Sequence, residues 1–225
     1  MNLSKDGIAI CSFNREVIKE IVNIEEIDST EFQLFYKKQL PNTTHKKEYE
    51  NNFNRLYSDL RSGQLHKVVL SKVKRVSVHQ SPLALFEKIN TTYGNTFNYI
   101  ISSPDLGCWM GATPEILGEL DKKNFKTVSL AGTKLPNEAW GEKEIKEQEI
   151  VTTFIEKQLI KNNATAIKIN GPDDQIAGPL VHLKSEISAH LEKESDWHSI
   201  INDLHPTPAT CGIPTLSAKE KINQT

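Results

Sequence analysis

The chain has 225 residues, with 27 lysines and arginines against 29 aspartates and glutamates, a net charge of −2 and 37% hydrophobic residues. That is enough for a full hydrophobic core in one large or two small soluble domains, and the charge balance argues against nucleic-acid binding by bulk electrostatics. No run approaches the length of a membrane span, the N-terminus lacks the basic-then-apolar layout of a signal peptide, and the scattered Cys11, Cys108 and Cys211 are expected to be reduced.

In chain order, residues 8–13 and 31–36 read as strands, and the charged stretch 14–28 between them as a short helix or a loop. Over residues 45–61, Tyr49, Phe53, Leu56, Tyr57 and Leu60 recur at helical spacing, and Gly63 supplies a stop. Residues 66–72, His-Lys-Val-Val-Leu-Ser-Lys, form a short β-branched run. Period two places Val68 and Leu70 on an apolar face, the expected core side, and Lys67 with Val69 and Ser71 on the other. A lysine there is either an edge residue with its head in water or a partly buried amine, and the run alone leaves both open.

Ser81 and Pro82 predict a helix start that lasts to about Tyr93-Gly94. Residues 97–103, 107–111, 116–120 and 125–130 then read as antiparallel strands joined by short turns. A helix is expected over 141–160, with Ile145, Ile150, Phe154 and Ile155 as its apolar positions, followed by strands at 167–169 and 179–187. A short helix over 196–204 leads into the proline-rich loop 205–214, and Ser217 with Glu220 forms a capping box that announces a last helix. The order of elements predicts an α+β or α/β single domain with a mainly antiparallel sheet.

Four stretches carry residues suited to chemistry. They are 66–72; 111–117, Gly-Ala-Thr-Pro-Glu-Ile-Leu, with Glu115 after a proline turn; 129–133, Ser-Leu-Ala-Gly-Thr, where a strand is expected to end in small residues; and 204–214. With residues 143–149 and Val181-His182-Leu183, they resemble the chorismate-utilising enzymes, and within them most closely the isochorismate synthases, over about residues 63–222. Lys67 stands where the water-adding members have lysine and the ammonia-using anthranilate and aminodeoxychorismate synthases usually do not. Ala131 stands where aminodeoxychorismate synthases carry a nucleophilic lysine. His205-Pro206-Thr207-Pro208 separates the chain from most salicylate synthases, the runner-up reading.

The resemblance implies an α+β fold like that of anthranilate synthase component I, with antiparallel sheets and helices packed outside. The expected domain is 1–225, with 1–62 matching weakly and the family's C-terminal part absent. It implies conversion of chorismate to isochorismate by addition of water at C2 and loss of the C4 hydroxyl, for menaquinone or a catechol siderophore. Lys67 would be the base, acting near neutral pH only if its pKa falls from about 10.4, and Glu115 the acid. Ala131, Gly132, Thr133 and His182 would bind substrate. Mg²⁺ would sit on Glu147, with Glu144 one turn earlier, although these glutamates taken alone read as a solvated helix face. A cytoplasmic monomer without nucleic-acid or membrane partners is expected. The truncation implied by the match leads to an expectation of weak binding and little turnover, and leaves a non-catalytic binding or assembly remnant as the alternative from another class.

Overall fold

In a computed structural model that describes residues 8–14, 17–21, 31–37 and 41–225, the chain divides into two compact units. One is Met1–Lys38 with Ile101–Trp109, the other Gln39–Ile100 with Met110–Thr225. In the first, β1 (Ile8–Cys11) pairs antiparallel with β2 (Val17–Ile21), Ile8 opposite Ile21. The helix-or-loop reading of 14–28 is therefore corrected at β2; residues 15–16 and 22–28 lie outside the described residues. Residues 32–37 are not a strand. The Phe35 N–H there donates to a side chain, Ser102 Oγ at 2.8 Å, instead of to a neighbouring strand.

The second unit is organised by α3 (Glu142–Lys161) lying on an antiparallel sheet. Its strands are β6 (Glu119–Asp121), β7 (Asn124–Lys134), β8 (Thr165–Ala177) and β9 (Leu180–His190), in the order β6-β7-β9-β8. Alternation explains the helix-facing side. Phe125, Thr127, Ser129 and Ala131 of β7 stand opposite Ala189, Ile187, Ser185 and Leu183 of β9, and all eight are buried. The buried stripe of α3 is Gln148, Val151, Ile155 and Leu159, spaced at three and four residues. Ile145, one of the apolar positions of the expected helix, lies outside this stripe and is 43% exposed. Ile200 and Leu204 of α4 (Trp197–Leu204) close the same core.

The chain also forms α1 (Lys46–Arg61), α2 (Pro82–Thr92, capped by Ser81 Oγ), and the hairpin of β4 (Phe97–Ser103) with β5 (Gly107–Thr113), whose tip belongs to the first unit. The organising run 66–72 contributes only β3 (Lys67–Val68), paired with β10 (Gly212–Ile213). The expected facing is reversed: Lys67 is buried, while Val68 and Leu70 are half-buried. Residues 114–118 are irregular, so Glu115 precedes a strand that starts only at Glu119. The 129–133 stretch does not end a strand, because β7 continues through it by a bulge between Ala131 and Lys134. The last helix, α5 (Thr215–Ile222), begins before Ser217, so the expected capping box lies inside it; Pro214 holds the N-cap position.

Candidate active site

Antiparallel pairing of β3 with β10 brings Lys67 to the proline-rich loop. His66 N–H donates to Ile213 O and Val69 N–H to Cys211 O, both at 2.8 Å. Gly212 permits this approach, since a Cβ there would collide with the Lys67 carbonyl oxygen and stand 2.7 Å from Ala218 Cβ. The lysine side chain turns inward. Its Nζ donates to the Pro208 carbonyl and pairs with Glu147 Oε1 at 3.2 Å. The side chains of Lys67 and Glu147 are 10% and 30% exposed, so the amine is enclosed and its carboxylate partner stays open to solvent on one side.

Glu115 lies in the irregular segment after β5, its backbone N–H donating to Thr113 Oγ1 at 3.1 Å. Burial pushes its carboxyl above the ordinary carboxylate range, and the Lys67 charge draws it part of the way back. Desolvation dominates, which favours the protonated acid.

The second cluster is built on the β7 bulge. Gly132 has φ +70°, and a Cβ there would meet Cβ and the carbonyl of Glu144 at 3.2 Å. Small size thus lets the bulge abut the first turn of α3. His182 Nδ1 lies 3.1 Å from both Gly132 O and Thr133 Oγ1. A carbonyl only accepts, so Nδ1 carries the hydrogen, and Nε2 of the neutral ring remains an acceptor. Glu144 is held below the ordinary carboxylate range by backbone hydrogen bonds at its own and Gly141's amides and by the Lys143 ammonium, which is 3.3 Å from Glu144 Oε1. Lys143 also lies 4.0 Å from Glu147 Oε2. The geometry therefore joins Lys67 to Glu147 and to the field of Glu115, and joins Gly132, Thr133 and His182 to each other, with the first two turns of α3 between the clusters. In the proline-rich loop Cys211 is fully buried, and burial raises its thiol.

Among the described residues no three His, Cys, Asp or Glu side chains converge as a ready metal cage. Two solvent-reaching carboxylates one helical turn apart still fit Mg²⁺, which takes oxygen ligands from one or two carboxylates and keeps several waters.

Charge patterning hid one residue. Gln148, which stands among the glutamates that taken alone read as a solvated helix face, is 2% exposed. Its Nε2 lies 3.1 Å from Ser129 O, 2.9 Å from Ser129 Oγ and 3.1 Å from Ser185 Oγ. Thr152 Oγ1 donates to the Gln148 carbonyl at 3.0 Å and stands 2.7 Å from Ser129 Oγ. With the Thr152 hydrogen so used, Ser129 Oγ donates to Thr152, closing a ring of hydrogen bonds that ties α3 to the sheet at the residue after Glu147. The signal available was position: 148 lies three residues before Val151 and seven before Ile155, on the buried stripe.

Residues 9–225 match the family described as chorismate binding enzyme. The chain belongs to that family. It is 26% identical over 174 residues to isochorismate synthase EntC of Escherichia coli K12, covering 71% of this chain and 44% of that protein. Among solved structures, the putative 2,3-dihydroxybenzoate-specific isochorismate synthase DhbC from Bacillus anthracis superposes with a TM-score of 0.75 at 20% identity, covering 97% of this chain and 65% of that one. Anthranilate synthase component I from Streptococcus pneumoniae TIGR4 gives 0.65 at 18% identity, covering 78% and 41%. These likenesses bear out the expected α+β fold. The chain spans less than half the length of the curated isochorismate synthases it matches, 44% of EntC and 33% of the Arabidopsis thaliana protein. Among the described residues no helix is long and apolar enough to cross a membrane.

Proposed function

We propose that these residues carry out the isochorismate synthase reaction, for menaquinone or siderophore synthesis, in a cytoplasmic monomer. A water oxygen bonds to C2 of chorismate and gives its proton to Lys67; the C4–oxygen bond breaks, and the departing hydroxyl takes a proton from Glu115. One water enters and one leaves. The observation that supports this most is the pairing of an enclosed amine with a carboxyl whose pKa burial raises, in one electrostatic field. Opposed acid and base are what the reaction needs.

Glu147 and Glu144 are the side chains that would hold Mg²⁺, whose chemistry there is to neutralise the two substrate carboxylates. Lys67 Nζ is held between Glu147 Oε1 and the Pro208 carbonyl, which fixes where the amine meets the substrate. Thr133 Oγ1 and the main-chain amides of the Ala131–Gly132 bulge serve to bind the substrate's carboxylate oxygens, and His182 Nε2 to accept from a substrate hydroxyl.

The test is product analysis by liquid chromatography and mass spectrometry of a polypeptide of the relatives' length that contains these residues, with chorismate and Mg²⁺ supplied. Isochorismate without pyruvate is expected, and Glu115→Gln should lower the rate by about 10²–10⁴. Salicylate with pyruvate, or anthranilate when ammonia is added, would contradict the reading.

A further inference from the structure

The register of β7 on β9 slips at the bulge. Ala131 stands opposite Leu183 and Lys134 opposite Val181, which leaves Gly132 and Thr133 together against His182. Leu183 and Val181 are both buried, on the helix side of the sheet. The extra residue therefore returns Lys134 to that side, although plain alternation from Ala131 would turn it away.

There the Lys134 side chain is 12% exposed and its ammonium meets three groups. It donates to the Glu138 carbonyl at 3.0 Å, pairs with Asp174 Oδ2 at 3.3 Å and lies 4.7 Å from the centroid of the Trp140 ring. The Trp140 indole N–H donates to the other carboxylate oxygen, Asp174 Oδ1, at 2.8 Å. One carboxylate on β8 thus ties two groups at the connection between β7 and α3. Asp174 stands opposite Leu183, and Leu183 opposite Ala131, so the tie reaches over β9, roughly 10 Å from outer strand to outer strand. The connection is also closed on itself: Glu138 N–H donates to Leu135 O at 3.0 Å, and Leu135 N–H to Glu138 Oε2 at 2.8 Å. The indole hydrogen bond and the Lys134 ammonium hold the Asp174 carboxyl below the ordinary carboxylate range, so it is charged at neutral pH.

This latch places the indole against the bulge. Trp140 Cζ3 lies 3.4 Å from where a Cβ on Gly132 would stand, beside Glu144 Cβ at 3.2 Å. Trp140 directly precedes Gly141, the N-cap of α3. Gly132 has no side chain to hold its place, yet its carbonyl, 3.1 Å from His182 Nδ1, fixes the hydrogen on that nitrogen. The indole supports Gly132, and Asp174 holds the indole.

We propose that Asp174 is a positioning residue for substrate binding: through Trp140 it sets the Gly132 bulge, and with it the Thr133 hydroxyl and the His182 ring. The inference rests on the substrate-binding role proposed above for that bulge. Lys134 and Asp174 lie on the helix side of the sheet and His182 on the other, so the latch acts through the bulge rather than by touching substrate.

Two readouts test it. In the 225-residue chain, ¹⁵N NMR of His182 at pH 8 should show hydrogen on Nδ1 alone in the wild type. Asp174→Ala and Trp140→Phe should each give a mixture of the two tautomers, and the double variant no more than either. The Asp174 side chain is 54% exposed, so its replacement leaves the core intact. Asp174→Asn keeps an acceptor for the indole and should behave as the wild type. In a polypeptide of the relatives' length that contains these residues, with chorismate and Mg²⁺, Asp174→Ala and Trp140→Phe should raise KM about tenfold and leave kcat within about twofold. A role in stability alone would lower the melting temperature and move neither readout. The wild-type tautomer in both variants, or an unchanged KM, would overturn the proposal. A wild type that forms no isochorismate would instead refute the reaction assigned above, and the tautomer would still decide the latch.

Discussion

Replacing Gln148 separates two opposing contributions at the base of the site. Gln148→Met keeps the side-chain length and removes both polar ends. Two N–H hydrogens serve the three acceptors Ser129 O, Ser129 Oγ and Ser185 Oγ, so the loss amounts to about two hydrogen bonds, at about 1 kcal/mol each. The same change deletes Oε1, which is buried without a protein partner and whose desolvation costs about 1–3 kcal/mol. The contributions nearly cancel, and destabilisation of no more than about 1 kcal/mol is expected. Gln148→Glu keeps the orphaned oxygen, removes both donors and sets a carboxylate against three oxygens, so about 3 kcal/mol or more should be lost. Urea unfolding at pH 7 should place the Glu variant at least about 2 kcal/mol below the Met variant. Its folded-state pKa would be raised, so the deficit should shrink as pH falls through that value. Equal stabilities of the two variants would refute the donor assignment and with it the hydrogen-bond ring that holds α3.

Three further changes probe the remaining parts. Glu115 has a folded pKa raised above the unfolded value of about 4.3; its contribution is therefore present below that value and lost as pH rises through the folded pKa. Glu115→Gln should accordingly match the wild type below about pH 4 and exceed it in urea midpoint at pH 7; a variant less stable at pH 7 would contradict the burial argument. Gly212→Ala forces a Cβ onto the Lys67 carbonyl and Ala218, an overpacking that should cost about 1–3 kcal/mol and lower the melting temperature by several degrees. An unchanged melting temperature would mean that β10 and β3 have room to separate. Lys67→Met leaves the Pro208 carbonyl without its donor and should cost about 1–3 kcal/mol in urea unfolding. No cost would mean that water reaches that carbonyl.

Local signals located most of the helices. Ser81-Pro82, the apolar spacing of 45–61 and the run before Gly63 placed α2 and α1, because caps and periodicity act within a few residues. Strand lengths were less legible. β8 was expected at 167–169 but runs from Thr165 to Ala177, an edge strand whose exposed residues leave no burial pattern to read; a register shift between Asn170 and Asp173 absorbs Gly171-Pro172, which look like a turn. The strand at 31–36 failed for the converse reason, since among the described residues its alternation has no partner strand to use. Within the site, the residue types at 67, 115, 132, 147 and 182 were legible through the family resemblance. The inward turn of Lys67 was not, because it depends on Pro208 and Glu147, 141 and 80 positions further along the chain. Gln148 stayed hidden because a single amide among charged residues looks like surface until the stripe that contains it is known.

The central claim is that Lys67 activates the water that enters at C2 while Glu115 protonates the hydroxyl that leaves C4. The direct measurement is turnover of chorismate in ¹⁸O-labelled water, with Mg²⁺, by a polypeptide of the relatives' length that contains these 225 residues. One solvent oxygen should appear at C2 of isochorismate, and Lys67→Met, folded by circular dichroism, should give no labelled product. Isochorismate without solvent oxygen, or equal labelling by the Lys67→Met variant, would contradict the account.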